Sequence, residues 1–191
     1  TMTGRDAAGN LRTSGGGVVV FNRSGGTSTG TISGVTDNGN GTYSATFTGV
    51  LAGTATNIGA TIGGVSVTTA SPQIIVIPGP VSLSTSTLSI VGNPTTVAAG
   101  QSVTLRLTAR DNAGNNLTTG GLTVAMSNSG GTSTGSFSSV TDNGDGTYTA
   151  TFTGSNAGTP TTFSATIGGL SITSSLPTIS VVPGAPSAAA S

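Results

Sequence analysis

Asp142 and Asp145 are the residues in this chain whose type and spacing come closest to a metal site. They lie in the run D-N-G-D-G at 142–146. Carboxylate oxygens that alternate with glycines in a tight turn are ligands that calcium accepts. The related run at 37–41 has Asn40 as its second oxygen ligand, and neither run has the distal Glu of an EF-hand. We expect a hairpin turn, because Asn-Gly and Asp-Gly adopt positive φ, with calcium as the weaker alternative.

Two Arg-Asp pairs are the other charged candidates. Arg5-Asp6 and Arg110-Asp111 each precede a Gly-Asn turn, where Asp accepts backbone N–H bonds and Arg lies over the sheet edge. Bracing the turn is the first interpretation. Because the chain carries few charges, the same four residues are also candidates for a contact between neighbouring domains.

The composition excludes most other chemistry. The chain has five basic and five acidic residues, all Arg or Asp, with no Lys, Glu, His, Cys or Trp. Histidine bases, cysteine nucleophiles and imidazole or thiolate metal sites are therefore absent. We expect no enzyme and no cofactor. Five Arg cannot form a nucleic-acid-binding stripe, and runs such as Ile74 to Ile77 are too short for membrane insertion.

An internal repeat organises the chain. T-D-N-G-N-G-T-Y-S-A-T-F-T-G at 36–49 returns as T-D-N-G-D-G-T-Y-T-A-T-F-T-G at 141–154, and the offset of 105 residues holds without insertion or deletion. It predicts a first repeat at 1–79 that lacks the counterpart of Ser82 to Leu105, a complete repeat at 80–184, and a tail or start of another repeat at 185–191. We expect a section of a longer array, or a subunit completed by its neighbour.

Short alternating runs between Gly, Asn and Asp clusters predict antiparallel strands and no helix. Tyr148, Ala150 and Phe152 face the core, as do their counterparts in the first repeat, whereas Ser24 to Gly30 is expected to be a surface loop. Seven strands in about a hundred residues predict an all-β fold of tandem immunoglobulin-like sandwiches. The predicted strands of the second repeat are Ser82 to Val91, Ser102 to Arg110, Leu122 to Asn128, Ser136 to Thr141, Thr147 to Thr153, Thr161 to Ile167 and Thr178 to Val182.

Three sequence blocks resemble filamin-type immunoglobulin repeats and, more loosely, the repeats of bacterial adhesins of the invasin and intimin kind. The blocks are A-R-D-N-A-G-N-N-L-T-T-G-G at 109–121, V-T-D-N-G-D-G-T-Y at 140–148, and A-G at 157–158 followed by I-G-G at 167–169. The resemblance implies a seven-stranded sandwich that acts as a spacer, with some copies binding peptides along an exposed strand edge. The low charge departs from cytoplasmic filamins and points to an extracellular protein.

Three functions follow as hypotheses. The first is a non-catalytic spacer in an extracellular surface fibre or adhesin, whose partners are neighbouring immunoglobulin-like repeats and a host or cell-surface protein or glycan. The second is a filament subunit that assembles by strand complementation between incomplete domains. The third is a carbohydrate- or calcium-binding module, for which the sequence offers no aromatic strip and no carboxylate cluster.

Overall fold

The computed structural model describes residues 1–186 and contains β-strands, turns and loops, with no helix in that range. Accordingly, none of these residues forms a helix long and apolar enough to cross a bilayer. Backbone contacts divide the chain into unit 1, Thr1–Ile77, and unit 2, Pro78–Ser191. Most of the tail at 185–191 lies outside the described residues. The all-β expectation is confirmed.

Unit 1 contains nine short strands in three sheets. One sheet has the order β1-β5-β4, a second has the order β2-β7-β8 with β9 also pairing with β7, and a third consists of β3 and β6. The strands are β1 (Met2–Thr3), β2 (Val19–Ser24), β3 (Thr29–Ile32), β4 (Thr36–Asp37), β5 (Thr42–Ser44), β6 (Phe47–Leu51), β7 (Thr56–Ile62), β8 (Val65–Ser66) and β9 (Gln73–Ile74).

Unit 2 is a two-sheet sandwich. One sheet has the order β10-β12-β16-β14 with β15 on β16, and the other has the order β11-β19-β17-β13 with β18 on β17. All pairs are antiparallel except β11 with β19. The strands are β10 (Thr87–Ile90), β11 (Thr96–Ala98), β12 (Ser102–Thr108), β13 (Val124–Ser129), β14 (Thr134–Phe137), β15 (Thr141–Asp142), β16 (Thr147–Asn156), β17 (Thr161–Ile167), β18 (Leu170–Ser171) and β19 (Thr178–Val182).

The core of unit 2 is built around three phenylalanines from facing sheets. The ring centroid of Phe152 lies 4.9 Å from that of Phe163 and 5.2 Å from that of Phe137, within the range of favourable tilted and edge-on aromatic pairs. Tyr148 is also buried, and its hydroxyl accepts a hydrogen bond from the Leu122 N–H at 3.0 Å. The sequence correctly placed Tyr148, Ala150 and Phe152 on the inner face.

The two units differ most along the strand that carries these residues. In unit 2, β12 pairs with β16 from Ser102↔Thr153 to Thr108↔Thr147, and β16 is continuous over ten residues. In unit 1 the place of β12 is taken by β1, which is only two residues long and pairs with β5. The counterpart of β16 is consequently divided into β5 and β6, with a break at 45–46.

Burial follows the same difference. Phe152 is completely buried, whereas its counterpart Phe47 is half-buried. Unit 2 has many buried hydrophobic residues, whereas in unit 1 only Val19 and Tyr43 are buried to the same degree. The presence of a full-length β12 therefore determines how much of the inner face of the sheet is buried.

Two strand predictions need correction, and two short strands were not predicted. The first strand of unit 2 begins at Thr87 and not at Ser82, because the Ser86 hydroxyl and N–H both donate to the Ser82 carbonyl, at 2.7 and 3.1 Å, and close a turn. The predicted strand from Ser136 to Thr141 is divided between β14 and β15, and the short strands β11 and β18 were not predicted. Strands of two or three residues carry too little alternation to be recognised in a sequence.

The predicted surface loop at 24–30 is also partly wrong. Ser28 within it is fully buried, and its hydroxyl accepts the Val76 N–H at 3.0 Å. Ser133 does the same for the Val181 N–H at 2.9 Å. Ser133 thus connects its loop to the last strand of unit 2, and Ser28 connects its loop to the stretch just after β9 of unit 1. Polarity alone does not reveal these contacts.

Truncating the equivalent phenylalanine of each unit to alanine should destabilise the two units unequally. Phe152→Ala should cost unit 2 about 3–5 kcal/mol, because it removes a fully buried ring from a closed core. The matched Phe47→Ala should cost unit 1 less than about 2 kcal/mol, because that ring is already partly exposed to solvent. Amide hydrogen exchange in each unit measures both effects. Equal losses in the two units would contradict the difference in burial.

Candidate functional site

The Arg110–Asp111 turn lies beside the segment with which unit 2 begins. Asp111 is 5% exposed and its carboxylate accepts four hydrogen bonds. Oδ1 accepts the N–H groups of Ala113 and Asn115, both at 2.9 Å. Oδ2 accepts the Asn115 side-chain amide at 2.9 Å and the Gly79 N–H at 2.8 Å. The last bond connects the turn to the Pro-Gly-Pro segment at 78–80, thirty-two residues earlier.

The backbone around Asp111 binds the same entering segment. The Ser82 N–H donates to the Arg110 carbonyl at 2.7 Å, and the Arg110 N–H donates to the Ser86 hydroxyl at 3.0 Å. The Thr85 hydroxyl donates to the Asp111 carbonyl at 2.6 Å. Together with the Gly79 bond, these contacts hold the start of unit 2 against its Arg-Asp turn.

The counterpart turn of unit 1 is formed in the same way. Asp6 Oδ1 accepts the N–H groups of Ala8 and Asn10, and Oδ2 accepts the Asn10 side-chain amide, each at 2.9 Å. The Arg5 guanidinium donates to the Gly9 carbonyl at 2.7 Å. Both Arg-Asp turns are therefore braced internally. Gly79 belongs to the same unit as Arg110 and Asp111, so a contact between domains through these residues stays a prediction.

The carboxylates of Asp142 and Asp145 accept hydrogen bonds from different groups around one turn. Asp142 accepts the Gly121 N–H at 2.6 Å and the Gly144 N–H at 2.9 Å. Asp145 accepts the N–H and the hydroxyl of Thr147, at 3.0 and 2.6 Å. Gly144 and Gly146 have φ of 79° and 81°, which places them in the left-handed region that glycine adopts without strain.

Unit 1 shows that this turn does not need the second charge. Asn40 accepts the N–H and the hydroxyl of Thr42 at 3.1 and 2.7 Å, the same two bonds that Asp145 makes. A neutral amide oxygen thus replaces a carboxylate oxygen in the same geometry. Within residues 1–186, no three His, Cys, Asp or Glu side chains lie together as a metal cluster. The geometry supports the turn interpretation of Asp142 and Asp145, and calcium binding there stays a prediction to be tested.

Calcium should leave the stability of the chain unchanged. Binding would require Asp142 and Asp145 to exchange their existing N–H and hydroxyl partners for the ion, with only two carboxylates to neutralise it. Thermal unfolding at millimolar calcium, compared with magnesium and with EDTA, measures the effect. A saturable rise in Tm with calcium that Asp145→Asn removes would establish the metal site instead.

Acid should destabilise the chain only below about pH 4. Four Asp carboxylates accept hydrogen bonds that hold the pKa of each below its ordinary value of 3.8. The main donors are Asn10 to Asp6, Gly16 to Asp37, Asn115 and then Gly79 to Asp111, and Thr147 to Asp145. Because the folded pKa lies below the unfolded one, the stabilisation is present above 3.8 and is lost as the pH falls through the folded values.

The measurement for the acid prediction is Tm between pH 2 and 7. No side chain in this composition titrates between pH 5 and 7, so Tm should be constant there. Asp111→Asn should reduce the acid dependence of unit 2 and leave that of unit 1 intact. A steep change in Tm between pH 5 and 7 would contradict the assignment of acid sensitivity to these carboxylates.

Comparison with known proteins identifies the family of these repeats. The family model described as "Invasin, domain 3" matches residues 1–79 and again residues 82–184. No curated protein matches the chain. The family match supports the invasin part of the resemblance drawn from the sequence blocks, whereas the filamin-type part is not supported.

Solved structures show the same architecture. The chain is similar to Yersinia pseudotuberculosis InvD, with 25% identity, a TM-score of 0.53, and coverage of 97% of this chain and 52% of that one. It is similar to the Escherichia coli adhesin FdeC, with 25% identity, a TM-score of 0.52, and coverage of 92% and 62%. The structure of invasin, a bacterial integrin-binding protein, matches at 21% identity and a TM-score of 0.53, with coverage of 94% and 35%.

The chain thus spans about one third to two thirds of the length of these three solved proteins. Its all-β repeats have the immunoglobulin-like fold of those adhesin domains, and the family model accounts for both repeats along nearly their whole length. The chain belongs to the invasin domain 3 family.

Proposed function

We propose that this chain is a non-catalytic spacer in a bacterial surface adhesin, where stacked immunoglobulin-like repeats hold a binding domain away from the cell. The observation that carries the proposal is the repeat itself, because two successive segments in one 105-residue register both match the same adhesin-domain family. Arrays of this kind gain length by adding copies.

The connection between repeats supports a mechanical role. Gly79 lies in the Pro-Gly-Pro segment with which unit 2 begins, and its N–H donates to Asp111 of the same unit. Proline limits φ on both sides of this glycine. A connecting segment that is held by the domain after it has less freedom than a flexible linker, which is what a spacer requires.

The chemistry of the surface supports a role without catalysis. The chain has no histidine, cysteine, lysine or glutamate, and its lowered carboxylate pKa values come from turn hydrogen bonds and not from a reactive pair. Adhesion itself would then involve a host cell-surface protein or glycan bound by another part of the protein. The location that follows from this proposal is the bacterial cell surface.

Replacing residues 1–191 within an adhesin should distinguish a spacer from a receptor-binding module. In an adhesin that carries residues 1–191, an unrelated pair of immunoglobulin-like repeats of equal length should preserve adhesion to host cells. Deleting the segment should weaken adhesion by reducing the reach of the protein. Surface expression, measured with an epitope tag, is the control. Loss of adhesion in the equal-length replacement would show that this chain contacts the receptor itself.

A filament subunit that assembles by strand complementation is the second candidate. It is favoured by the exposed apolar face of unit 1, but Leu88 and Leu105, in the segment without a counterpart there, are buried in unit 2. Exchange between chains would have to open unit 2 first. Light scattering over a concentration series should therefore give a constant monomer mass, and growth into long polymers would favour the filament.

A further inference from the structure

The chain contains three Asn-Gly dipeptides, and all of them lie in the hairpin turns shared by the two repeats. They are Asn38-Gly39 and Asn40-Gly41 in unit 1 and Asn143-Gly144 in unit 2. In such a dipeptide the glycine nitrogen can attack the side-chain carbonyl carbon of the asparagine and close a cyclic imide. Glycine has no Cβ to hinder this approach. The hydrogen bonds around the three dipeptides differ, so their reactivity should differ as well.

Asn40 holds its side-chain carbonyl between two donors. Its Oδ1 accepts the Thr42 N–H at 3.1 Å and the Thr42 hydroxyl at 2.7 Å. A backbone N–H can only donate, so the Asn40 atom that it meets is the oxygen of the amide and not the nitrogen. Two donors on this oxygen stabilise the negative charge that develops there when a nucleophile attacks the carbon. Thr42 therefore activates the Asn40 side chain toward attack.

The nitrogen that would attack Asn40 makes no hydrogen bond of its own. Within residues 1–186, no group accepts the Gly41 N–H. Gly41 is buried, and its carbonyl accepts the Gly4 N–H at 2.8 Å, which holds the residue in place. A buried N–H without an acceptor is rare and unfavourable. Attack by the Gly41 nitrogen on Asn40 therefore breaks no existing hydrogen bond.

The other two dipeptides are held in a less reactive arrangement. The Gly39 N–H donates to Asp37 Oδ1 at 2.9 Å, and the Asn38 amide donates to the Thr42 hydroxyl at 3.0 Å. Backbone hydrogen bonds keep the pKa of Asp37 below its ordinary value, so this carboxylate is too weak a base to remove an amide proton. Equivalent bonds of the same lengths hold Asn143-Gly144 in unit 2. Attack there would first have to break them.

Unit 2 has an aspartate at the register position of Asn40. The Oδ1 of this residue, Asp145, accepts the N–H and the hydroxyl of Thr147 at 3.0 and 2.6 Å. Conversion of Asn40 to aspartate would therefore preserve the turn. Conversion to isoaspartate would add a methylene group to the main chain next to the pairing of β4 with β5. The two products should thus differ in their effect on unit 1.

We propose that Asn40-Gly41 is a self-modification site, at which Asn40 is converted to aspartate or isoaspartate with water as the co-reactant. The Gly41 nitrogen loses its proton to hydroxide and forms a bond to Asn40 Cγ. The bond from Cγ to Nδ2 breaks, and Nδ2 takes a proton from water and leaves as ammonia. Water then opens the imide, at Cγ to give aspartate or at the main-chain carbonyl carbon to give isoaspartate. Asn40 is exposed, so water reaches it.

Peptide mapping by mass spectrometry tests the site on the intact 191-residue chain. The chain is incubated at mildly alkaline pH and then digested with pepsin in acid, where attack by the amide nitrogen is suppressed. Conversion at Asn40 should be at least about tenfold faster than at Asn38 and Asn143, because only Asn40 has two donors on its carbonyl oxygen. In the chain unfolded by guanidinium the three rates should become similar, and Asn40 should react no faster there than in the folded chain.

Variants of Thr42 separate activation of the carbonyl from loosening of the turn. Thr42→Val removes the hydroxyl donor and should slow the conversion of Asn40 at least about tenfold, whereas Thr42→Ser should react at the parent rate. A variant that only loosened the turn would instead accelerate both Asn38 and Asn40, because Asn38 donates to the same hydroxyl. The matched Thr147→Val should leave the rate at Asn40 unchanged.

Three results would overturn the modification site. They are conversion at Asn38 or Asn143 as fast as at Asn40 in the folded chain, slower conversion of Asn40 in the folded chain than in the unfolded one, and an unchanged or higher rate in Thr42→Val. None of these results bears on the spacer role, since that proposal is tested by replacement of the segment in an adhesin.

Discussion

Pairing between β12 and β16 is the interaction on which the rest of each repeat depends. In unit 2 seven consecutive residue pairs join these strands, and the ten-residue β16 brings Tyr148, Ala150 and Phe152 to the core in register. Strand alternation then places Phe152 against Phe163 of the opposite sheet. Where β12 is represented by two residues, as in unit 1, the same sequence pattern yields two short strands and a half-buried Phe47. The internal comparison separates what a strand's own sequence specifies from what its partner supplies.

Polar order in this chain comes from neutral side chains and a few carboxylates. Only 5% of the residues are charged. Buried serine and threonine hydroxyls occupy positions at which an ion pair would carry a large desolvation cost. Ser133 and Thr161 each hydrogen-bond to backbone groups from a different part of unit 2, and both are almost completely buried. Hydroxyl groups avoid the large desolvation cost of a buried charge. This explains how a core with so little charge remains specifically ordered.

The sequence was sufficient for the fold but not for the contacts that complete it. Alternation and turn residues predicted a run that overlaps each of the seven strands of four or more residues in the described part of unit 2, because those runs are long enough to show a period of two. They did not predict β11, whose parallel pairing with β19 joins residues more than eighty positions apart. The bond from Gly79 to Asp111 was equally inaccessible, since the sequence shows an Asp turn but not which distant N–H reaches it. The buried Ser28 and Ser133 did leave a signal, because the block around them is identical in both repeats, yet its polarity suggested a surface loop.

The Arg-Asp turn shows how one motif folds in the same way in both repeats. Its internal hydrogen bonds depend only on residues within about five positions, so the turn forms in both units. Its remaining acceptors face whatever segment lies beside them, which in unit 2 is Pro78 to Ser86. A motif that folds locally before its distant partner arrives is a preorganised acceptor, and its backbone entropy has already been lost when the partner binds. In unit 2 this preorganised turn therefore holds the segment that begins at Pro78 through the bond from the Gly79 N–H to Asp111.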